Sequence, residues 1–535
     1  MSGILPVRTL KFGPVELGAV FLSTYLCYTL FQSLRRRRRS TRLNGPSTTF
    51  SNYIFGLRPL LTKLPDPGAA YEEWAQRYGA VYSIPALLGN RTVVLTDTKS
   101  IAHFAARETY GYVMSPNAKH FQERLLGRGL FWAEGDSHKR QRRALNPAFT
   151  NAAIKDLTPI FFDSAYKAKA AWDSLLEGRP EGTIIEVQIW MNHISLDTIG
   201  LAGFSHDFGT LTGQNSSIAE AFDNIGSKAS FWDSSFFLLA LIIPVLRNIP
   251  FGRNGMLMQL TKTMFSLGDE FLETTKETAS DKSVMGLLVK SASADKISHE
   301  EVKAQINVLL IAGYETTAIS LTWALIELSR NPDMQTKLRD EILHSSDGDL
   351  TWEELNHQGS FLDAFTCEIL RFHPPVGQVE RMAAEDDVLP LNSPLETADG
   401  NIVDGVFVVK GTIVKIPIDC MNRSEVFWGT DAKLFNPTRW IDETNGISKH
   451  RAQEIQGYRH MLTFSDGARI CLGKAFAVTE FKAVLSVLLR NYTFELPNGP
   501  ETVIGRHLNV LPRPKVEGEA GYDVPLRVRP YMGRE

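Results

Sequence analysis

The stretch from Ser298 to Pro332 constrains this chain more than any other, because it contains no proline until its last residue and is mostly apolar. Ser298 stands three residues before Glu301, the pattern of a capping box, so a helix is predicted to start there. Thirty-odd residues at about 1.5 Å each make a rod of roughly 48 Å. Its middle, QINVLLIAGYETTAISLTWALIEL from Gln305 to Leu328, is apolar on most faces and is therefore expected to be buried on all sides. A rod of that kind needs a large body around it. The 535 residues, 43% hydrophobic and 22% charged, can supply one. A formal net charge of −3 gives no polyanion-binding signature, so no nucleic-acid partner is expected.

The surrounding pattern predicts a mainly α protein with small β-sheets. Short β-like runs, Ala80–Ile84 and Thr92–Leu95, flank a Gly89–Asn90 turn. From there to about residue 375 the periodicity is helical. Thr351 and Glu354 form a second capping box, and a helix over Phe361–Phe372 is stopped by Pro374–Pro375. Val406–Val409 and Thr412–Ile416, separated by Lys410–Gly411, read as a β-hairpin, and a last helix is expected over Leu472–Leu489. No repeat or Pro/Gly/Ser linker divides residues 69–535, which are taken as one domain.

The N-terminus departs from this globular pattern. After a short segment, 1–14, residues 15–34 are mostly apolar and just long enough to span a bilayer. Arg35 to Arg39 and Arg42 follow, against Arg8 and Lys11 before, which orients the bulk of the chain to the cytoplasm. A cleaved signal peptide is the rival reading, but no small-residue cleavage site precedes the arginines. Residues 35–68, basic and then rich in Gly, Pro and Ser, read as a linker.

Four cysteines, Cys27, Cys367, Cys420 and Cys471, are too few and too scattered for a disulfide framework, and no CxxC occurs. Cys471 lies in Phe464-Ser465-Asp466-Gly467-Ala468-Arg469-Ile470-Cys471-Leu472-Gly473. A helix N-terminus just ahead and Arg469 two residues back would favour a thiolate. Gly467 and Gly473 permit a tight turn and the close approach of a flat ligand, and Phe464 could shield the sulfur. A structural cysteine is the alternative. In the long helix, Ala312-Gly313-Tyr314-Glu315-Thr316-Thr317 interrupts the apolar run with a carboxylate that is costly unless paired or hydrated. Glu368 and Arg371 share a helix face at i,i+3.

Together these segments resemble the cytochrome P-450 family over roughly residues 60 to 515. FSDGARICLG is similar to its Phe-x-x-Gly-x-Arg-x-Cys-x-Gly loop at every defined position, AGYETT to its oxygen-activating motif, and Glu368-x-x-Arg371 to its ion-pair signature. Phe435 to Trp440 resembles its Phe-x-Pro-x-Arg-Trp segment. The resemblance implies the family fold, with the long helix over haem b (iron protoporphyrin IX). It makes Cys471 the axial iron ligand and Arg469 a propionate contact. Ala312 and Gly313 would line the distal face, and Glu315 and Thr316 would relay protons for O2 activation. Glu368, Arg371 and Arg439 would form a buried structural triad. The family helix around Gly135–Arg143 carries Trp-x-x-x-Arg for the propionates; here His138 stands in the tryptophan's place and Arg142 in the arginine's.

The same resemblance implies a monooxygenase that places one oxygen atom from O2 into a small lipophilic substrate. Hydroxylation or epoxidation of a terpenoid or other secondary metabolite would fit, as in fungal microsomal members. Electrons would come from NADPH through the separate NADPH–cytochrome P-450 reductase, at the endoplasmic reticulum membrane, single-pass, with the catalytic domain cytoplasmic. Lys139, Arg140 and Arg143 would be either a solvated face or a docking patch for that partner. Phe236–Phe251, free of charge apart from Arg247, would be core or a loop touching membrane lipid. An O2-independent haem-thiolate isomerase or dehydratase, or a haem-binding sensor, is the alternative, and Glu315–Thr316 speaks against both.

Overall fold

A computed structural model describes residues 13–214, 216, 218–220, 236, 240, 246, 249–278, 284–286, 297–442, 444, 446–447, 450–508, 511–518 and 524–533. The central helix runs His299–Arg330, with the predicted capping box formed in both directions between Ser298 and Glu301. It packs most heavily on helix Val187–Phe204, and also on Gly252–Thr278, Lys474–Asn491 and Phe361–Phe372. Trp172 of helix Asn151–Leu176 is fully buried in this helical core. The capping box of Thr351 and Glu354 is also formed, and the helix ending at Phe372 has the predicted bounds.

A second core lies under the main sheet, whose five strands run in the order β1 (Val81–Pro85), β2 (Arg91–Leu95), β8 (Ile413–Pro417), β5 (Gln378–Ala383) and β3 (Tyr112–Val113). Three smaller sheets pair β6 (Asp387–Glu396) with β7 (Ile402–Val408), β4 (Thr183–Glu186) and β9 (Tyr492–Glu495) with β12 (Pro525–Pro530), and β10 (Ile504–Leu508) with β11 (Pro512–Val516). The hairpin expected between Val406–Val409 and Thr412–Ile416 does not form. β7 pairs with β6, whereas β8 runs parallel to β2 and antiparallel to β5. Both strands exist, but the Lys410–Gly411 turn passes the chain from one sheet to another. The last helix starts at Lys474 rather than Leu472.

Helix Pro14–Arg39 covers the expected anchor and most of the arginine run. Its end is stitched to the sheet body. Ser33 Oγ donates to Gly89 O, Arg39 pairs with Asp386, Thr41 N donates to Phe407 O, and Arg42 pairs with Asp399. The expected linker contains two short helices, Phe50–Phe55 and Arg58–Leu61. Among the described residues, His299–Arg330 is the helix whose length and apolarity would suit a membrane span, and it is largely buried within the protein. Most of Phe236–Phe251 lies outside the described residues.

Candidate active site

The long helix is buried without a break from Ala304 to Ser329 except at Ala312, Gly313 and Thr316. Positions i and i+4 lie one above the other on a helix, so Ala312 and Thr316 mark a single open face. The Thr316 hydroxyl turns back to donate to Ala312 O at 2.8 Å. Gly313 serves packing as well. A Cβ there would lie 2.9 Å from Ile199 Cγ1, so the glycine lets helix Val187–Phe204 approach closely.

Cys471 is accessible at its surface, yet protein surrounds it deeply enough for burial to push its thiol above the usual range. Those two facts describe a sulfur facing an opening inside the molecule. The Gly473 N–H, Arg142 and Lys474 work against burial and favour the thiolate. The expectation that Arg469 supplies that charge is corrected here: Arg142 and Lys474 do. Arg142 reaches the loop directly, donating from Nη1 to Ile470 O at 2.7 Å. The loop closes through Cys471 N donating to Phe464 O at 2.8 Å, while the Phe464 ring packs edge-on against Tyr458. Gly467 has φ +64°, and a Cβ on it would lie 2.4 Å from Ala105 O, so no other residue fits there. Gly473, by contrast, has an ordinary φ and caps the following helix.

Arg469 is half-buried, and its terminal nitrogens donate to the carbonyls of Leu130, Phe131 and Ala133. Burial, with Arg381 adding repulsion, lowers its pKa to about 10. Its Nε is buried without an acceptor among the described residues. His138 is buried and its pKa falls to about 4, first through burial and then through Arg469, Arg142 and Arg381. Sequence reasoning missed Arg381, which lies on β5 and pairs with buried Glu108 at 3.0 Å. Arg142, Arg381, Arg469 and His138 thus lie close enough to act on one another, with Glu108 and Glu134 as carboxylates acting on Arg469. That donor chemistry fits an anionic, iron-bearing group such as haem, which Cys471 would ligate and whose carboxylates His138, Arg142 and Arg469 would face. Such a group supplies the O2 chemistry when bound.

Glu315, adjacent in sequence to Thr316, is fully buried and paired with Arg513 of β11, Nε to Oε1, at 2.9 Å. The cost expected of a lone carboxylate is thereby met by an arginine 198 residues away. A further buried carboxyl, Glu480 of helix Lys474–Asn491, was not anticipated. Burial raises its pKa to about 8. Thr317 and Thr198 hydroxyls approach it without full hydrogen-bond alignment. The predicted lock is formed. Arg371 grips Glu368 bidentately at 2.7 and 2.8 Å and Arg439 reaches it at 3.2 Å, while Trp440 Nε1 and Asn436 N also donate to it.

Taken together, the inward thiol, the cationic cluster around it and the open turn of the long helix define a haem-thiolate oxidoreductase. A family model for cytochrome P-450 matches residues 46–517, and the chain belongs to that family. It is 52% identical to cytochrome P-450 monooxygenase claQ of Ampulloclitocybe clavipes, over 98% of this chain and 99% of that one. It is 51% identical to claP of the same fungus, with the same coverage. It is 29% identical to the ganoderic acid synthetase of Ganoderma lucidum, over 90% of this chain and 93% of that one. As a member of that family it is a haem-thiolate monooxygenase.

Proposed function

We propose that this chain is a membrane-bound monooxygenase of fungal secondary metabolism, holding haem b on Cys471 and fed by NADPH–cytochrome P-450 reductase. One atom of O2 enters a C–H or C=C bond of the substrate. The other leaves as water, with two electrons from NADPH and two protons. The terpenoid class is favoured by the likeness to a ganoderic acid synthetase. Helix Pro14–Arg39 would anchor the chain in the endoplasmic reticulum with its catalytic body in the cytoplasm, as the arginines at its end favour.

Within the site, Cys471 binds, the His138–Arg142–Arg469 cluster orients, and Thr316 presents a hydroxyl on the open face to pass a proton on. Glu315 is the acid that resupplies it. Of the basic patch, Arg140 is committed to Glu301 through two hydrogen bonds, which leaves Lys139 and Arg143 for docking an acidic partner.

The accessible yet deeply enclosed Cys471 carries this reading. Its test is the absorption spectrum of the reduced protein with carbon monoxide. A strongly red-shifted Soret band, lost in Cys471→Ala, is expected. A histidine-type band in well-folded protein would remove the ligand assignment.

A further inference from the structure

Glu315 and Thr316 are neighbours in sequence but face different surroundings. Thr316 lies on the open face of the long helix, whereas Glu315 is 0% exposed and turned into the protein. What it meets there is Arg513, itself 3% exposed. Arg513 belongs to the β10–β11 hairpin, where it stands opposite His507. The hairpin has a second tie, since Arg506 Nη1 pairs with Asp419 Oδ1 at 2.8 Å. One arm of this ribbon is thus fixed to the main-sheet region and the other to the carboxylate beside the open face.

Two long side chains in a buried ion pair are held far more firmly than either would be alone, and parting them leaves two uncompensated charges. A carboxylate gripped in this way cannot exchange a proton with the open face until its side chain rotates away from the guanidinium. We propose that Arg513 is a positioning residue for the reaction: it sets the orientation of Glu315 and makes that orientation depend on where the β10–β11 hairpin sits. An occupant of the active-site opening that shifts the hairpin would then change how readily Glu315 exchanges protons. The inference rests on the reading of Glu315 as the proton-supplying acid.

The test uses the full-length haem-loaded protein with reductase and NADPH and no added substrate, in wild type, Glu315→Gln, Arg513→Gln, Arg513→Lys and the double Glu315→Gln/Arg513→Gln variant. Two quantities are read: the solvent isotope effect on NADPH oxidation, and backbone hydrogen exchange across residues 504–508 and 512–516. If Glu315 carries the proton, Glu315→Gln raises the isotope effect about twofold. Arg513→Gln, which releases the carboxylate from that grip, then moves it the other way and speeds hairpin exchange by about tenfold, while Arg513→Lys keeps both near wild type. The double variant covers the case in which Arg513→Gln fails to fold, because it removes both charges and should regain the stability lost. Its hairpin should still exchange fast. Arg513→Gln that leaves the isotope effect and the exchange at wild-type values, while Glu315→Gln shifts the former, would overturn the positioning role and spare the acid. Glu315→Gln without effect on the isotope effect would overturn the acid reading, and the positioning role with it.

Discussion

Two fully buried glutamates on neighbouring helices have opposite fates. Glu368 is surrounded by Arg371, Arg439, Trp440 and the Asn436 N–H; burial would raise its pKa, but these donors hold it below the ordinary carboxylate range. Glu480 has two threonine hydroxyls nearby, and burial raises it to about 8. Near neutral pH the first is an anion within a lock and the second a neutral acid within a core. Burial alone therefore predicts nothing about charge. What decides is whether cations and N–H donors converge on the oxygens.

The sharpest way to break this comparison is to remove the cation. Arg371→Leu should strand the Glu368 charge and cost about 3–5 kcal/mol, read as a fall in the denaturation midpoint and loss of bound haem. A variant as stable as wild type would mean the lock contributes shape only. Glu480→Gln should act in the opposite sense. Below pH 4.5 the carboxyl is protonated in both folded and unfolded chains. As pH rises towards 8 the unfolded chain gives up its proton while the folded one keeps it, so wild type loses stability. The glutamine variant escapes that loss, and its advantage should grow between pH 5 and 8 to on the order of 3 kcal/mol. An advantage that does not change with pH would show Glu480 ionised like Glu368. The smallest effect belongs to Thr317→Val. Without that hydroxyl the Glu480 pKa should move further up, visible in the infrared carboxyl band, at a cost of about 1 kcal/mol.

The site was legible in the sequence where its chemistry is local. The loop from Phe464 to Gly473, the capping box at Ser298 and the i,i+3 lock each lie within a few residues. Their geometry follows from helix and turn rules that need no knowledge of the rest of the chain. What escaped was chemistry assembled over distance. Nothing in PRPKV announces that Arg513 meets Glu315, and nothing in QVERMA sends Arg381 into the cationic cluster. Glu480 sits in a helix whose charged residues look like a solvated face until Lys482 is found buried against Asp363. The misread hairpin has the same cause. Lys410–Gly411 is a good turn, but strand partners are chosen by the sheet's other members, and β2 lies some 320 positions upstream.

The seam between the first helix and the sheet also matters for how the molecule is mounted. Contacts at Ser33 and Arg39, and at Thr41 and Arg42 just past its end, tie that helix to the catalytic body. A loose tether would let the body tumble over whatever surface the helix is fixed to. Held by these contacts, the helix would act as a mast on any surface that took it up, setting which side of the body faces that surface and which faces the water. Breaking Arg39–Asp386 and Arg42–Asp399 would turn the mast back into a leash, leaving the chemistry intact but its bearing unset.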